Sequence, residues 1–117
     1  MNEFNLFNMD FLLFLEDNLN EYKDSVNLII TDPPFGVEYN QNVYDDNKEY
    51  VFNNIDKWIE GLSLLLSKNS HCYIYVPTLE LDVWIYHVKK YLKYNNLLTL
   101  PNLSEYHKKS DNNFNFV

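Results

Sequence analysis

The most specific chemical feature of the sequence is a carboxylate followed by two prolines and an aromatic ring: Asp32, Pro33, Pro34 and Phe35, the DPPF segment. It directly follows the apolar run 26–31. An amino group on a planar ring has two N–H donors and a lone pair delocalised into the ring. A carboxylate that accepts one N–H, and a rigid proline carbonyl that accepts the other, would make that lone pair available as a nucleophile. The phenyl ring of Phe35 could stack on the face of that planar ring.

The same four residues also suit a plain exit from a strand, because proline fixes its backbone angle φ and Asp favours turns. From average residue usage, an acid-Pro-Pro-aromatic tetrapeptide occurs in about one chain in a few hundred of this length. Its position directly after an apolar run makes a chance occurrence rarer still. We therefore expect a site for a planar amino-bearing ring rather than a turn alone.

Strands and helices are expected to alternate along the chain. Hydrophobic patterns predict strands over 4–8, 26–31, 70–76 and 97–100, and helices over 11–20, 49–67 and 78–94. The continuous apolar run 26–31 is typical of a central strand buried on both faces. This order predicts an α/β fold with an open, mostly parallel sheet and helices on both of its faces.

Three residues are predicted to lie at the carboxyl ends of strands: Asp10, Asp32 and Pro77. Ligands of open α/β sheets bind beyond these ends. Asp10 also suits the N-cap of the first helix, and Thr78 suits the N-cap of the last one.

Length and charge limit what the chain does alone. Its 117 residues make one small domain, with a formal net charge of −8. Residues 1–60 hold 13 acidic and 3 basic side chains, whereas residues 88–117 hold five Lys and two acids. An acidic body repels phosphate, so any DNA groove must use the Lys-bearing C-terminal third or be supplied by other sequence.

Other features predict an intracellular protein without a metal site. The single Cys72 excludes an internal disulfide and is expected to be a small buried side chain. No apolar run approaches the ~18 residues of a membrane span, and Met1 is not followed by a basic segment typical of secretory signals. The three His residues are widely spaced and have no Cys or carboxylate at the intervals typical of metal ligands, so no metal site is expected. Trp58 and Trp84 lie on apolar helical stripes and are expected in the core.

Residues 4–76 resemble the front part of a permuted amino-group DNA methyltransferase. The similarity includes Asn8-Met9-Asp10, residues 24–36 with the DPPF segment, the pair Asp45-Asp46, the amphipathic helix and residues 72–76. It implies a partial Rossmann-like methyltransferase sheet over residues 1–100 and a polar tail over 101–117. It also implies methyl transfer from S-adenosylmethionine to adenine N6, or to cytosine N4, of a base flipped out of DNA.

The resemblance also implies roles for individual residues. Asp32 would accept a hydrogen bond from the target amine, Pro33 would offer its carbonyl, Pro34 would hold the turn and Phe35 would stack on the base. Phe35 stands where the family usually has Tyr. This difference keeps the aromatic ring and removes the hydroxyl group. Asp as the first residue favours adenine, although related enzymes that act on guanine in ribosomal RNA also use Asp-Pro-Pro-Phe.

The resemblance assigns further residues to the cofactor and the substrate. Asp10 would lie near the adenine of the cofactor, and Asp32 would also belong to the cofactor-binding residues. Tyr39 and Tyr44, in the loop after the DPPF segment, could line the substrate pocket, or they could simply pack within the loop.

A glycine-rich cofactor loop is missing, since the chain has only Gly36 and Gly61. We therefore expect very weak cofactor affinity and no turnover from the chain alone. It would be a truncated product, a remnant, or one half of a split enzyme whose second chain supplies the cofactor loop and target recognition. A non-catalytic partner subunit and an RNA methyltransferase remain alternatives.

Overall fold

Three helices and two parallel strands make a small α/β domain. The structure is a computed structural model and describes residues 3–36 and 47–100. Its elements in chain order are α1 (Phe11–Tyr22), β1 (Val26–Thr31), α2 (Lys48–Leu65), β2 (Leu66–Ile74) and α3 (Leu81–Tyr91). The proposed tail 101–117 lies outside the described residues. None of the described helices is long and apolar enough to cross a membrane.

Helix α2 supplies most of the core. Its apolar side chains recur every three or four residues and so form one buried stripe. Trp84 of α3 completes the buried cluster, whose α2 members are Val51, Ile55, Trp58, Ile59 and Leu62. The expected core positions of both tryptophans are confirmed.

Gly61 allows α1 to approach α2 closely. A Cβ atom at this position would lie 3.0 Å from Cε2 of Phe11 and closer still to Cδ1 of Leu15. From sequence alone, Gly61 is only a helix residue that costs about 1 kcal/mol relative to Ala. In the fold, the missing side chain makes room for the packing of α1.

The two strands pair in parallel. Ile29 lies opposite Cys72 and Thr31 opposite Ile74, and the Tyr75 N–H donates to the Thr31 carbonyl at 3.0 Å. The alternation of side chains along each strand turns Ile29, Cys72 and Ile74 towards the helices, where they pack on the core. Cys72 is half-buried, and burial raises the pKa of its thiol to about 11, so it stays protonated at neutral pH.

The opposite face of the sheet is bare among the described residues. Leu28 is 54% exposed, Ile30 66% and Tyr73 49%. The prediction that residues 26–31 are buried on both faces is therefore wrong, and so is the expectation of helices on both faces for the described part of the chain. Because α1 and α3 both pack on α2, all three helices cover the same face of the sheet. Parallel sheets are almost always covered on both faces, so this bare face is unusual.

Two predicted strands are not formed. Residues 4–8 and 97–100 have no strand structure, and Phe4 and Leu6 are almost fully exposed. The observed order is therefore α-β-α-β-α. An apolar run becomes a strand only where a neighbouring strand offers a ladder of hydrogen bonds, and neither segment has one. The predicted β1 matches the structure residue for residue, and the three helices are confirmed with end shifts of up to three residues.

The remaining differences concern where elements begin. Strand β2 starts at Leu66, directly after α2, and ends at Ile74. The predicted cap Thr78 is wrong, because α3 starts three residues later with Glu80 in the N-cap position and no side-chain capping bond.

A cluster around Asp56 joins α3 to α2. The Asp56 carboxylate accepts hydrogen bonds from Lys90 Nζ and Tyr91 Oη, both at 2.7 Å, and His87 Nδ1 lies 3.1 Å from it. The hydrogen bond from Lys90, followed by that from Tyr91, lowers the pKa of Asp56 from 3.8 to about 2. All three partners come from α3, so this carboxylate is the polar anchor of that helix.

This anchor predicts a pH dependence of stability. Since the folded-state pKa is the lower one, the contribution of Asp56 is complete above about pH 4 and is lost as the pH falls towards 2. The free energy of unfolding, measured with urea from pH 5 to pH 2, should fall more steeply for the wild type than for Asp56→Asn. Asp17→Asn, on the exposed side of α1, is the control and should follow the wild type. Equal slopes for the wild type and Asp56→Asn would contradict the assignment.

Candidate functional site

The DPPF segment leaves β1 at the carboxyl end of the sheet. Thr31 is the last residue of the strand, and Asp32 follows it directly. Asp32 is exposed, whereas Pro33, Pro34 and Phe35 are half-buried. The carboxylate has no hydrogen-bond partner among the residues that the structure describes, so it is free to accept one from a ligand.

Gly36 turns the chain after the DPPF segment. Its φ of 80° lies in the left-handed region, and a Cβ atom there would come within 3.0 Å of the Lys48 backbone. The start of α2 therefore lies against this turn. Lys48 Nζ in turn pairs with Glu80 at 2.7 Å, just before α3. The DPPF segment, the first residue of α2 and the N-cap of α3 thus share one edge of the domain.

Asp10 caps α1 at the same edge. Its Oδ2 accepts hydrogen bonds from the N–H groups of Leu12 at 2.9 Å and Leu13 at 3.3 Å. The predicted N-cap is confirmed. The predicted position at the end of a strand is wrong, because residues 4–8 form none. Capping alone accounts for an acid at this position, so contact with a cofactor stays a prediction.

A cavity of about 490 Å³ lies between β1 and the helices and reaches this edge. Its walls include Asp10, Pro33, Pro34, Trp58 and Trp84. The structure thus brings Asp10 and the two prolines together around one space. Asp32 and Phe35 are not part of its lining, so the carboxylate and the ring predicted to hold a base lie outside this cavity.

Sequence reasoning missed the polar group inside the core. Trp84 is 1% exposed, and its Nε1–H has no acceptor among the described residues. The helical stripe predicts that Trp84 is buried, but it carries no information on whether the indole N–H finds a partner. Only the packing of α3 on α2 reveals the unpaired donor.

Several predicted residues cannot be placed. Tyr39 and Tyr44 lie outside the described residues, as does the pair Asp45-Asp46. Within ranges 3–36 and 47–100, no group of three or more His, Cys, Asp or Glu side chains is arranged to hold a metal ion.

Comparisons of the chain with protein-family models, curated proteins and solved structures find no match. The proposed function therefore depends on the residues of this chain and their geometry.

The capping role of Asp10 can be tested by substitution. Asp10→Ala should lower the free energy of unfolding by about 1 kcal/mol, since two N–H groups lose their acceptor. Asp10→Asn should stay close to the wild type, because Asn caps helices about as well as Asp. Thermal and urea unfolding of the three proteins checks this. A stable Asp10→Ala protein would show that the cap contributes nothing.

Proposed function

We propose that the DPPF segment is the amine-holding part of an S-adenosylmethionine-dependent DNA methyltransferase that acts on adenine N6. The sheet would then be part of a larger Rossmann-like methyltransferase fold. The observation that carries the proposal is the location of this tetrapeptide. It directly follows a parallel strand, at the carboxyl end of the sheet, where ligands of α/β folds bind, and its carboxylate is accessible.

The chemistry proposed for this segment needs only hydrogen-bond acceptors and a ring. The Asp32 carboxylate would accept one N–H of the target amine, and the Pro33 carbonyl would accept the other. Both acceptors favour the pyramidal nitrogen of the transition state over the planar nitrogen of the free base. Phe35, stacked on the base, would contribute about 1–3 kcal/mol of binding.

The described residues do not form a cradle for S-adenosylmethionine. A cradle needs glycines where the backbone approaches the cofactor, but Gly36 lies in the turn after the DPPF segment and Gly61 is buried in α2 against α1. The Asp10 carboxylate is engaged in capping. We therefore propose that a second chain with a glycine-rich loop supplies the cofactor site, and no chemical step is assigned to the cofactor on this chain.

DNA binding is proposed to depend on the same second chain. The net charge of −8 opposes binding to phosphate. Lys90 is already paired with Asp56, and Lys48 with Glu80. We propose a cytoplasmic location, in keeping with the intracellular location predicted from the sequence.

The bare sheet face supports a second candidate function, that of a non-catalytic partner subunit. Leu28, Ile30 and Tyr73 form an exposed apolar surface on a parallel sheet, a type of sheet that proteins normally cover on both faces. A second methyltransferase chain could cover this face without using Asp32 in the reaction.

One experiment separates the two functions. The neighbouring gene is read in each frame for a glycine-rich cofactor loop, and the chain is co-expressed with a product that carries one. Transfer of labelled methyl groups to DNA adenine is then measured. Absence of such a loop favours the partner subunit or a remnant. Asp32→Ala should lower the rate about 10²–10³-fold, because an acceptor aimed at the reacting amine is lost. It should leave stability unchanged, since Asp32 is exposed.

Asp17→Ala, on the exposed side of α1, serves as the control for removal of a surface carboxylate. Unchanged adenine methylation by the pair with Asp32→Ala would remove Asp32 from the mechanism. If the pair also loses activity when this chain is omitted, the chain acts as a partner subunit.

A further inference from the structure

The bare face of the sheet ends beside the DPPF segment. Successive side chains of a strand point to opposite faces, and Leu28 and Ile30 of β1 are exposed on the face away from the helices. Asp32 continues this alternation. It is exposed, and unlike Pro33 and Pro34 it does not line the cavity between the sheet and the helices. The carboxylate therefore lies at the carboxyl end of the bare face.

Tyr75 occupies the matching position beside β2. Thr31 lies opposite Ile74, and the Tyr75 N–H donates to the Thr31 carbonyl at 3.0 Å. Asp32 and Tyr75 follow these two strand ends and are therefore neighbours. Ile74 packs on the core, whereas Tyr75 is 37% exposed. Because neighbouring strands lie about 4.8 Å apart, the carboxylate and the phenol ring share one end of the bare face.

Aromatic rings make this end of the face suitable for a flat ligand. Tyr73 and Tyr75 are two residues apart, so their side chains lie on the same face, and both are exposed. Exposed Ile30 lies opposite Tyr73. Aromatic side chains on an open sheet face are a known platform for bases, because every base has a flat face that can stack on them.

The carboxylate of Asp32 determines which polar group such a ligand should carry. A carboxylate accepts hydrogen bonds and donates none, and this one has no partner among the described residues. It therefore suits a ring with N–H donors at its edge. The net charge of −8 opposes a phosphate at the same place. The groups at this end of the face thus favour an uncharged ring that bears an amino group.

We propose that Tyr75 is a base-binding residue of the candidate site. The target base lies on the carboxyl end of the bare sheet face, with its ring against Tyr75 and its amino group on Asp32. This role rests on the proposed function, since it assumes that Asp32 holds the amine of a base. It adds the face of the sheet on which the base lies, opposite to the cavity, and a residue that no sequence motif identifies.

Two uncharged nucleosides test the proposal on the full chain. Adenosine carries the amino group, and purine riboside is the same molecule with a hydrogen atom in its place. Binding of each is measured by titration at millimolar concentrations, followed by ¹H–¹⁵N NMR. Both should shift the backbone signals of Tyr73 and Tyr75 in the wild type. Adenosine should bind more tightly and should also shift the signal of Asp32.

Four variants assign the contacts. Tyr75→Ala should weaken the binding of both nucleosides at least about fivefold, because the stacking ring is lost. Tyr75→Phe keeps the ring and should bind both like the wild type. Asp32→Ala should weaken adenosine alone, to the level of purine riboside. Tyr86→Ala, which removes an exposed tyrosine ring from α3, is the control and should bind both like the wild type.

The outcomes for Tyr75 and for Asp32 can be told apart. If Tyr75→Ala binds adenosine as tightly as the wild type while Asp32→Ala loses the preference for adenosine, the role of Tyr75 is wrong and the amine-holding role of Asp32 stands. If Tyr75→Ala weakens both nucleosides but the wild type does not distinguish them, Tyr75 binds bases and the amine-holding role of Asp32 is wrong.

Absence of shifts at Asp32 and Tyr75 with either nucleoside would also overturn the role of Tyr75. If Tyr75→Ala does not fold, the positions of the shifted signals in the wild type decide, because they need no variant.

Discussion

The apolar stripe of α2 is the surface on which the rest of the described fold depends. Helix α1 packs on it through the gap left by Gly61, α3 packs on it through Trp84, and the inner face of the sheet covers its third side. Because α2 also connects the two strands, it fixes their parallel pairing. The DPPF segment and the capped start of α1 come together only because β1 and α1 share this support.

The elements that depend on local pattern could be predicted from the sequence. The apolar run of β1, the stripe of α2 and the capping carboxylate of Asp10 all carry their own signal. The predicted strands 4–8 and 97–100 failed because strand formation depends on a partner ladder, which no local pattern reports. The prediction that β1 is buried on both faces failed for the same reason. An apolar run shows which side chains avoid water, but it does not show whether another part of the chain covers them.

The candidate site could likewise be predicted only in part. The sequence identifies the DPPF segment and places it at a strand end, and the structure agrees. It does not reveal that Asp32 lies on the surface while Pro33 and Pro34 line a cavity, since this split depends on how the chain turns at Gly36. Nor does it reveal the unpaired indole of Trp84. Both are products of packing between elements that are distant in sequence.

On the proposed function, the chain carries half of a reaction centre: groups suited to hold an amine, without the groups that bind a methyl donor. Calorimetric titration of the isolated chain with S-adenosylmethionine tests this claim most directly. No binding heat is expected at micromolar concentrations, because the backbone lacks a glycine-rich cradle. Binding at micromolar affinity or better by the chain alone would contradict it.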